Sequence, residues 1–287
     1  MNQTLHRRSR PGTIKEMQQV CQHWTQDQDG KSVLAGSLYN RYVLRSISIY
    51  VTWLFVAMGI RAHAATIMMT IAGIIGIVLC VPHVIPLTIL GGVFLYLFDL
   101  LDAVDGEIAR WNKSSSTKGL YLDQVSHVFI DAPSLGIAAL HYYAWKGNDL
   151  YLVLAMTAIV SSVMSRLIRE MFFRINAESL REEKVDQASQ GNASGTAAMS
   201  LFVRLCSYLK RMPLATFPIV KQRVAHILTL VAIGLAYWGF ESLLVGLAWF
   251  YAVYGPIRFL MEVPYYYSVR VVDASHQKQV EEYNWPL

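Results

Sequence analysis

The chain has 287 residues, of which 54% are hydrophobic and only 16% are charged. Soluble domains carry about a quarter charged residues, and here the apolar residues form blocks bounded by charge clusters, so a water-soluble globular protein is excluded. The net charge of +5 does not indicate a nucleic-acid partner, because the basic residues lie at the ends of the apolar blocks, as at a membrane surface. Cys21, Cys80 and Cys206 lack the paired spacing of a zinc or disulfide site.

The first part of the chain is predicted to precede the membrane. Residues 1–37 are expected to form a cytoplasmic segment, and an apolar stretch follows at 46–60. Because this stretch is shorter than the roughly 20 residues needed to cross the hydrocarbon, it is predicted to lie as a helix in the membrane interface. If it spans the membrane instead, the protein has one span more.

Six apolar blocks are predicted to be spanning helices, so the fold class is an all-α polytopic membrane protein with an N-terminal interfacial helix. The blocks cover residues 65–81, 85–108, 120–144, 150–173, 224–240 and 243–264. Their lengths approach the roughly 20 residues that a crossing requires. Turn-forming or polar residues separate them, among them Pro82, Gly147 and Glu241.

The regions outside the spans complete the predicted organisation. A transmembrane catalytic domain covers 38–264, with a cytoplasmic linker at 174–222, and a cytoplasmic tail covers 265–287. Within the linker, the composition of 187–200 indicates a flexible segment, and 201–211 has the spacing of a surface helix.

The basic residues predict the orientation of the spans. With the N-terminus in the cytoplasm, all of the 25 Lys and Arg residues except Lys146 fall on the cytoplasmic side of the six-span arrangement. This distribution is what the positive-inside rule requires. A seventh span at 46–60 would move the N-terminal basic residues to the outside and destroy the asymmetry.

A cluster of acidic residues stands where the second predicted span leads into the third. Asp102 and Asp105 are three residues apart and share a helix face, whereas Gly119, Asp123 and His127 are four apart and share a face of the next helix. A carboxylate inside a membrane helix costs about 2.5–3.5 kcal/mol on insertion scales. Several converging carboxylates therefore need a cation, and their hard oxygen atoms favour Mg²⁺, Mn²⁺ or Ca²⁺.

A simpler interpretation of the same acids is also open. The aspartates could cap helix ends or pair with Arg110 and Lys118. That interpretation explains one or two of the acids, but it gives no reason for the regular spacing of small residues among them.

The pattern Asp102-x2-Asp105-Gly106-x2-Ala109-Arg110-x8-Gly119-x3-Asp123-x3-His127 resembles the signature of the CDP-alcohol phosphotransferases. That family has a fourth Asp where this chain has His127. The resemblance also covers the six-span plan and, more weakly, Asn40, Arg41 and residues 60–66.

The resemblance implies a polar cavity that faces the cytoplasm, and it implies a homodimer. If the source is bacterial, it also implies the plasma membrane as the location. A CDP-linked donor would transfer its substituted phosphate to an alcohol acceptor, and CMP would leave. Two divalent ions, Mg or Mn, would be held by the acidic and imidazole groups. Asp123 and His127 would also be catalytic. The small residues and the arginine would bind the nucleotide and the phosphates. The implied metal ligands are Asp102, Asp105, Asp123 and His127, and the implied nucleotide and phosphate site is Gly106, Ala109, Arg110 and Gly119.

Further polar residues are predicted to support the site. Asp131 lies one turn beyond His127 and is expected either to orient its imidazole or to pair with a Ser, Tyr or Arg on another helix. Arg166 and Arg169, near the inner end of the fourth span, would bind an anionic acceptor or the donor phosphate, or else reach lipid headgroups. Arg258 faces the same choice, with Glu262 as a partner at i+4.

Three other functions are weighed against this one. His127 could mark a branch that transfers a phosphonate or headgroup from CDP to a glycan or soluble alcohol. A degenerate, non-catalytic CDP-binding protein would not need the other motif residues. A transporter would also bury acids among six helices, but it gives no reason for the spacing of small residues and aspartates.

Overall fold

The helices begin and end at the breaks that the sequence provides. A computed structural model describes residues 12–22, 43–114, 116–186 and 222–268, and every regular element in these ranges is helical. The elements are α1 (Ile14–Gln22), α2 (Arg45–Ala57), α3 (Ala62–Cys80), α4 (Ile85–Trp111), α5 (Thr117–Lys146), α6 (Asp149–Asp186), α7 (Gln222–Tyr237) and α8 (Glu241–Ser268).

Local sequence sets several of these ends. Pro86 occupies the first turn of α4, where its missing N–H costs nothing. Ser116 caps α5, because its side chain accepts a hydrogen bond from the Gly119 N–H at 3.1 Å. Gly147 ends α5 in the left-handed conformation, with φ of 68°.

Four of the helices in the described ranges are long and apolar enough to cross a membrane, which indicates an integral membrane protein. They are Ala62–Cys80, Ile85–Trp111, Asp149–Met171 and Glu241–Glu262. The helix α5 has 30 residues, but the polar residues of its first half lower its hydropathy, and α7 has 16 residues. The all-helical fold is therefore confirmed, and the count of six spans with an interfacial helix stays a prediction.

Two boundaries differ from the predicted ones. The helix α6 continues beyond 173 to Asp186, so the first part of the predicted linker is helical. Residues 174–186 are rich in charged side chains, so the apolar block ends there, but Glu, Leu, Arg and Lys are good helix formers and the helix continues. The helix α1 lies in the polar segment predicted for 1–37. The flexible segment 187–200, the surface helix 201–211, and Asn40 with Arg41 fall outside the described residues.

The helices α4 and α5 form the centre of the bundle, and the other helices pack around them. The helix α3 packs against α4 and α5, α6 packs against α5 and α8, and α7 packs against α4, α5 and α8, while α1 and α2 cover the C-terminal part of α4. The crossing of α3 and α4 is close, since a Cβ on Gly91 would lie 2.9 Å from the Gly76 carbonyl oxygen. This arrangement brings the end of α4 beside the start of α5.

Candidate active site

The acidic motif folds into a helix, a short turn and a second helix. Asp102 and Asp105 lie in the last three turns of α4, and Asp123 and His127 lie in the first three turns of α5. Lys113, in the turn between the helices, has a positive φ of 49°. The tight reversal places the two polar faces opposite each other.

Three side chains of these faces converge. Asp102, Asp123 and His127 each offer one ligand atom, and the three atoms lie within 4.8 Å of one another. The His127 Nε2 atom is 3.0 Å from the Asp102 Oδ1 atom and 3.5 Å from the Asp123 Oδ1 atom. The three side chains are 20–28% exposed, so the cluster is accessible from one side.

The hydrogen-bond partners of the cluster fit a divalent cation. The Asp123 Oδ1 atom is buried and has no hydrogen-bond partner among the described residues. His127 Nδ1 lies 3.2 Å from the Asp131 Oδ1 atom, and an ionised carboxylate only accepts, so Nδ1 carries a proton and Nε2 faces two further carboxylates. Such a convergence requires a proton or a cation between the groups, and neighbouring ligands of Mg²⁺, bound at about 2.1 Å, lie about 3.0 Å apart.

Asp105 occupies a different position from the other predicted ligands. Its Oδ2 atom accepts a hydrogen bond of 2.6 Å from the Thr66 hydroxyl of α3, and it lies outside the group of three converging residues. It still interacts electrostatically with Asp102 and Asp123. Its role as a metal ligand stays a prediction, and Thr66 is a supporting residue that the sequence did not reveal.

Asp131 makes both contacts that the sequence analysis offered as alternatives. One carboxylate oxygen lies 3.2 Å from His127 Nδ1, and the other accepts a hydrogen bond of 2.9 Å from Arg166 Nη1. Arg166 Nη2 also donates to the Gln124 side-chain oxygen at 3.1 Å. Arg166 therefore fixes the carboxylate that in turn fixes the imidazole.

The motif glycines give room to longer side chains. A Cβ on Gly106 would lie 3.3 Å from Arg110 Nη1 and 3.6 Å from Nη2, so the exposed guanidinium lies back along α4 over Gly106. Asp102, Gly106 and Arg110 are four residues apart and share one face. Ala109, beside Arg110, is half-buried, and a Cβ on Gly119 would lie 3.0 Å from the His63 ring.

Arg169 and Arg258 meet at a different carboxylate. Arg258 Nε donates to the Glu262 Oε1 atom at 2.9 Å, as the i+4 spacing predicted, and Arg169 Nη2 lies 3.6 Å from the same oxygen. The Glu262 Oε2 atom is buried and has no hydrogen-bond partner among the described residues. The structure thus groups these three residues, and the acceptor role of the arginines stays a prediction.

Two buried acidic groups were not predicted to take part. Glu107 is 2% exposed, and its carboxylate accepts hydrogen bonds from Ser48 at 2.8 Å and Thr52 at 2.7 Å, both in α2. The carboxylate of Asp99, one turn before Asp102, lies 3.6 Å from the His226 ring of α7. These partners are far apart in sequence, so only the apolar environment of the acids could have indicated that partners exist.

A comparison with protein families identifies this arrangement. The sequence profile of the CDP-alcohol phosphatidyltransferase family matches residues 62–254, which include α3, α4, α5, α7 and the described part of α6. The chain belongs to the CDP-alcohol phosphatidyltransferase family. It is therefore a transferase, and the family transfers a phosphoryl-alcohol group from a CDP-alcohol to an acceptor.

A curated relative of this CDP-alcohol phosphatidyltransferase is the bifunctional IPC transferase and DIPP synthase of Thermococcus kodakarensis. The two sequences are 31% identical over 83 residues, which cover 29% of this chain and 18% of the relative. The family generally uses a divalent metal, and the converging Asp102, Asp123 and His127 of this transferase are a possible place for it.

Proposed function

We propose that the protein transfers a substituted phosphoryl group from a CDP-linked donor to an alcohol and releases CMP. The observation that carries this proposal is the convergence of Asp102, Asp123 and His127 within the part of the chain that matches the family, together with the buried Oδ1 atom of Asp123, which has no hydrogen bond among the described residues. A scaffold protein gives no reason to keep such a group in an apolar setting.

The proposed metal ligands are Asp102, Asp105, Asp123 and His127, and the ions are one or two Mg²⁺ or Mn²⁺. A bound divalent ion would neutralise charge on the diphosphate of the donor during transfer. Three carboxylates and one neutral imidazole supply hard donors, with one negative charge less than the family pattern. His127 therefore favours weaker binding of one ion, or a preference for a softer ion.

The residues of the α4 face suit the donor. Gly106 has no side chain and Ala109 only a methyl group, so a nucleotide can approach the helix closely. The terminal nitrogens of Arg110 lie over Gly106 on the same face as Asp102, where they can donate to a phosphate. Gly119, at the start of α5, is part of the same proposed site, and its missing side chain makes room for the His63 ring.

The bond changes are those of a direct displacement. The oxygen of the acceptor hydroxyl forms a bond to the β-phosphorus of the donor, the bond from that phosphorus to the bridging oxygen breaks, and CMP leaves with the electron pair. The hydroxyl proton passes to a base, for which His127 Nε2 and the Asp123 carboxylate are the candidates. Nε2 has one lone pair, so it either binds an ion or accepts this proton.

His127 also supports a second candidate function. Its replacement of an acid favours a branch of the family that transfers a phosphonate or headgroup to a glycan or soluble alcohol. Arg166, Arg169 and Arg258 would then contact a negatively charged acceptor or donor group. The relative from Thermococcus kodakarensis does not decide between these acceptors, because the alignment spans so little of its length.

The proposed setting is a homodimer in the plasma membrane with the active site facing the cytoplasm. The basic residues support this orientation, since only Lys146 falls on the outer side of the six-span arrangement. Cysteines placed at Lys113 and at Lys146, which are both exposed, should be labelled from opposite sides of the membrane. Labelling of both from outside would reverse or reject this topology.

The proposal is tested by CMP release from purified protein with a panel of CDP-linked donors and alcohols. Release should require Mg²⁺ or Mn²⁺ and stop when a chelator is added. Arg169→Lys is the control variant, because Arg169 lies outside the metal cluster and lysine keeps its positive charge. CMP release by this variant should still depend on the metal. Full CMP release in chelator, or no release from any donor, would reject the proposed reaction.

A further inference from the structure

The N-terminal helix α1 contacts the motif arginine through its main chain. Arg110 Nε donates a hydrogen bond of 2.9 Å to the carbonyl oxygen of Cys21. Cys21 lies in the last turn of α1, where carbonyl groups have no partner within the helix and carry the negative end of its dipole. A guanidinium is a suitable partner for such a carbonyl.

Two independent sets of contacts hold α1 in this place. Met17 and Cys21, which are 0% and 1% exposed, pack with Ile49 of α2 and Trp111 of α4 in one apolar cluster. The Cys21 thiol also lies 3.4 Å from the Glu107 carbonyl oxygen, to which it donates. The carbonyl that meets Arg110 is thus fixed against α4 itself.

The helix α2 secures the same region from a second side. Its Ser48 and Thr52 hydroxyls donate to the buried carboxylate of Glu107, three residues before Arg110. Glu107 therefore holds α2 against α4, and α2 supplies Ile49 to the cluster beneath α1. Both helices lie before residue 62, where the match to the family begins.

The nitrogens of the Arg110 guanidinium therefore have different surroundings. Its Nε–H is used by α1, while Nη1 and Nη2 lie over Gly106 and make no hydrogen bond to any of the described residues. A free arginine side chain would lose rotamer freedom on binding a phosphate, at a cost of roughly 0.5–1.5 kcal/mol, which corresponds to about a 2- to 10-fold change in affinity. An arginine already held by α1 avoids most of that loss.

We infer that α1 is a positioning element of the donor site, which holds Arg110 through the Cys21 carbonyl so that its terminal nitrogens face the diphosphate of the donor. The inference rests on the proposed function for the identity of the ligand. It assigns Met17, Cys21 and Glu107 as positioning residues that act through Arg110.

The test compares two substitutions on adjacent residues of α1 in the full chain. Met17→Asp places a charge in the buried cluster and displaces α1, whereas Gln18→Asp adds the same charge on the exposed side. With CDP and Mg²⁺ as the probe, Met17→Asp should weaken binding roughly 2- to 10-fold, and Gln18→Asp should not change it. Met17→Ala, which buries no charge, should give a smaller loss in the same direction if Met17→Asp does not fold.

A double-substitution cycle separates positioning from general stability. In an Arg110→Lys background the side chain has no Nε–H, so Met17→Asp should cause no further loss of CDP affinity. An equal loss in both backgrounds, or no loss in the parent protein, would overturn the inference.

A second measurement does not depend on nucleotide binding. The Nε–H signal of Arg110 in nitrogen-labelled protein is assigned by its absence in Arg110→Lys, and it should exchange slowly in the parent and in Gln18→Asp but rapidly in Met17→Asp. If the parent protein binds no CDP, the proposed function fails and this signal alone decides the inference. Equal exchange in all three proteins would reject the role of α1.

Discussion

The two ends of the helix bundle both bury polar side chains, but among the described residues only the end near His141 gives each of them a partner. Where α3 turns into α4, His141 is fully buried and uses both ring nitrogens. Its Nδ1–H donates to the Cys80 carbonyl at 2.8 Å, so its Nε2 accepts from His83 Nδ1 at 3.0 Å. Nearby, Glu241 accepts from Tyr142 at 3.1 Å and from Lys146 at 3.0 Å.

At the other end, acceptors outnumber donors. Asp102, Asp123 and His127 Nε2 converge, and the buried Asp123 Oδ1 atom has no hydrogen bond among the described residues. Asp131 contacts the other ring nitrogen and is itself held by Arg166. A complete network stabilises one structure, whereas an incomplete one in an apolar setting is costly unless a ligand completes it. The difference between the ends therefore points to the site of binding more directly than burial does.

The largest expected effect comes from Asp123→Asn. We expect CMP release to fall at least about 100-fold, more than the 10- to 100-fold typical of a residue that only supports a ligand. The thermal midpoint without metal should stay constant or rise, because the substitution removes a carboxylate charge that lies beside the like charge of Asp102. A variant that loses stability together with activity would show that Asp123 pairs within the fold and would erase the contrast between the ends.

His127 and Asp131 are expected to rank next. His127→Ala should lower CMP release by about 100-fold or more, as the loss of a base or ligand does. Asp131→Asn should lower activity or metal affinity by roughly 10- to 100-fold, because the imidazole loses its orienting acceptor. Near-full activity of His127→Ala would favour the degenerate, non-catalytic interpretation. If His127→Ala loses activity but Asp131→Asn does not, the role of His127 stands and the orienting role of Asp131 is rejected.

The satisfied end should respond in the opposite way. His141→Phe fills the space of the ring but leaves the Cys80 carbonyl and the His83 ring without their partner. The buried Cys80 carbonyl alone costs about 1–3 kcal/mol when unpaired, so the thermal midpoint should fall while the CMP release of the folded protein stays unchanged. Loss of activity at full stability would mean that this end takes part in catalysis.

The smallest expected effect is a dependence of stability on pH at His83. Burial, and then the positive charge of Lys146, lower the pKa of the His83 imidazole below its ordinary value of 6.5. The unfolded chain then binds a proton more readily, so the stabilising contribution is present above pH 6.5 and is lost as the pH falls below it. The thermal midpoint should drop between about pH 7.5 and about pH 5.5, and His83→Gln should reduce that drop.

The local part of the site could be predicted from the sequence. Spacings of three and four residues place Asp102 with Asp105, and Asp123 with His127 and Asp131, whatever the tertiary structure, and the helix breaks follow from Pro82, Pro86 and Gly147. The extension of α6 to Asp186 was missed because an apolar block ends at charged residues, whereas a helix made of good helix formers does not.

Contacts between distant parts of the chain could not be predicted. Thr66 binds Asp105 across 39 residues, and Ser48 binds Glu107 across 59. Hydrophobic periodicity identifies which face of a helix is polar, but it carries no information about which residue on another helix meets that face. Glu107 falls within the predicted span 85–108, so its position indicated only that it needs a donor, and not which residue supplies it.

The hydrogen bond from Arg110 to Cys21 uses a carbonyl group, which every amino acid possesses. Position 21 can therefore change among small residues without altering this contact, provided that α1 remains a helix in the same place. Substitution at position 21 would therefore leave the carbonyl contact itself intact. The requirement falls instead on the apolar positions that seat α1, which are Met17 and the residues that pack against it.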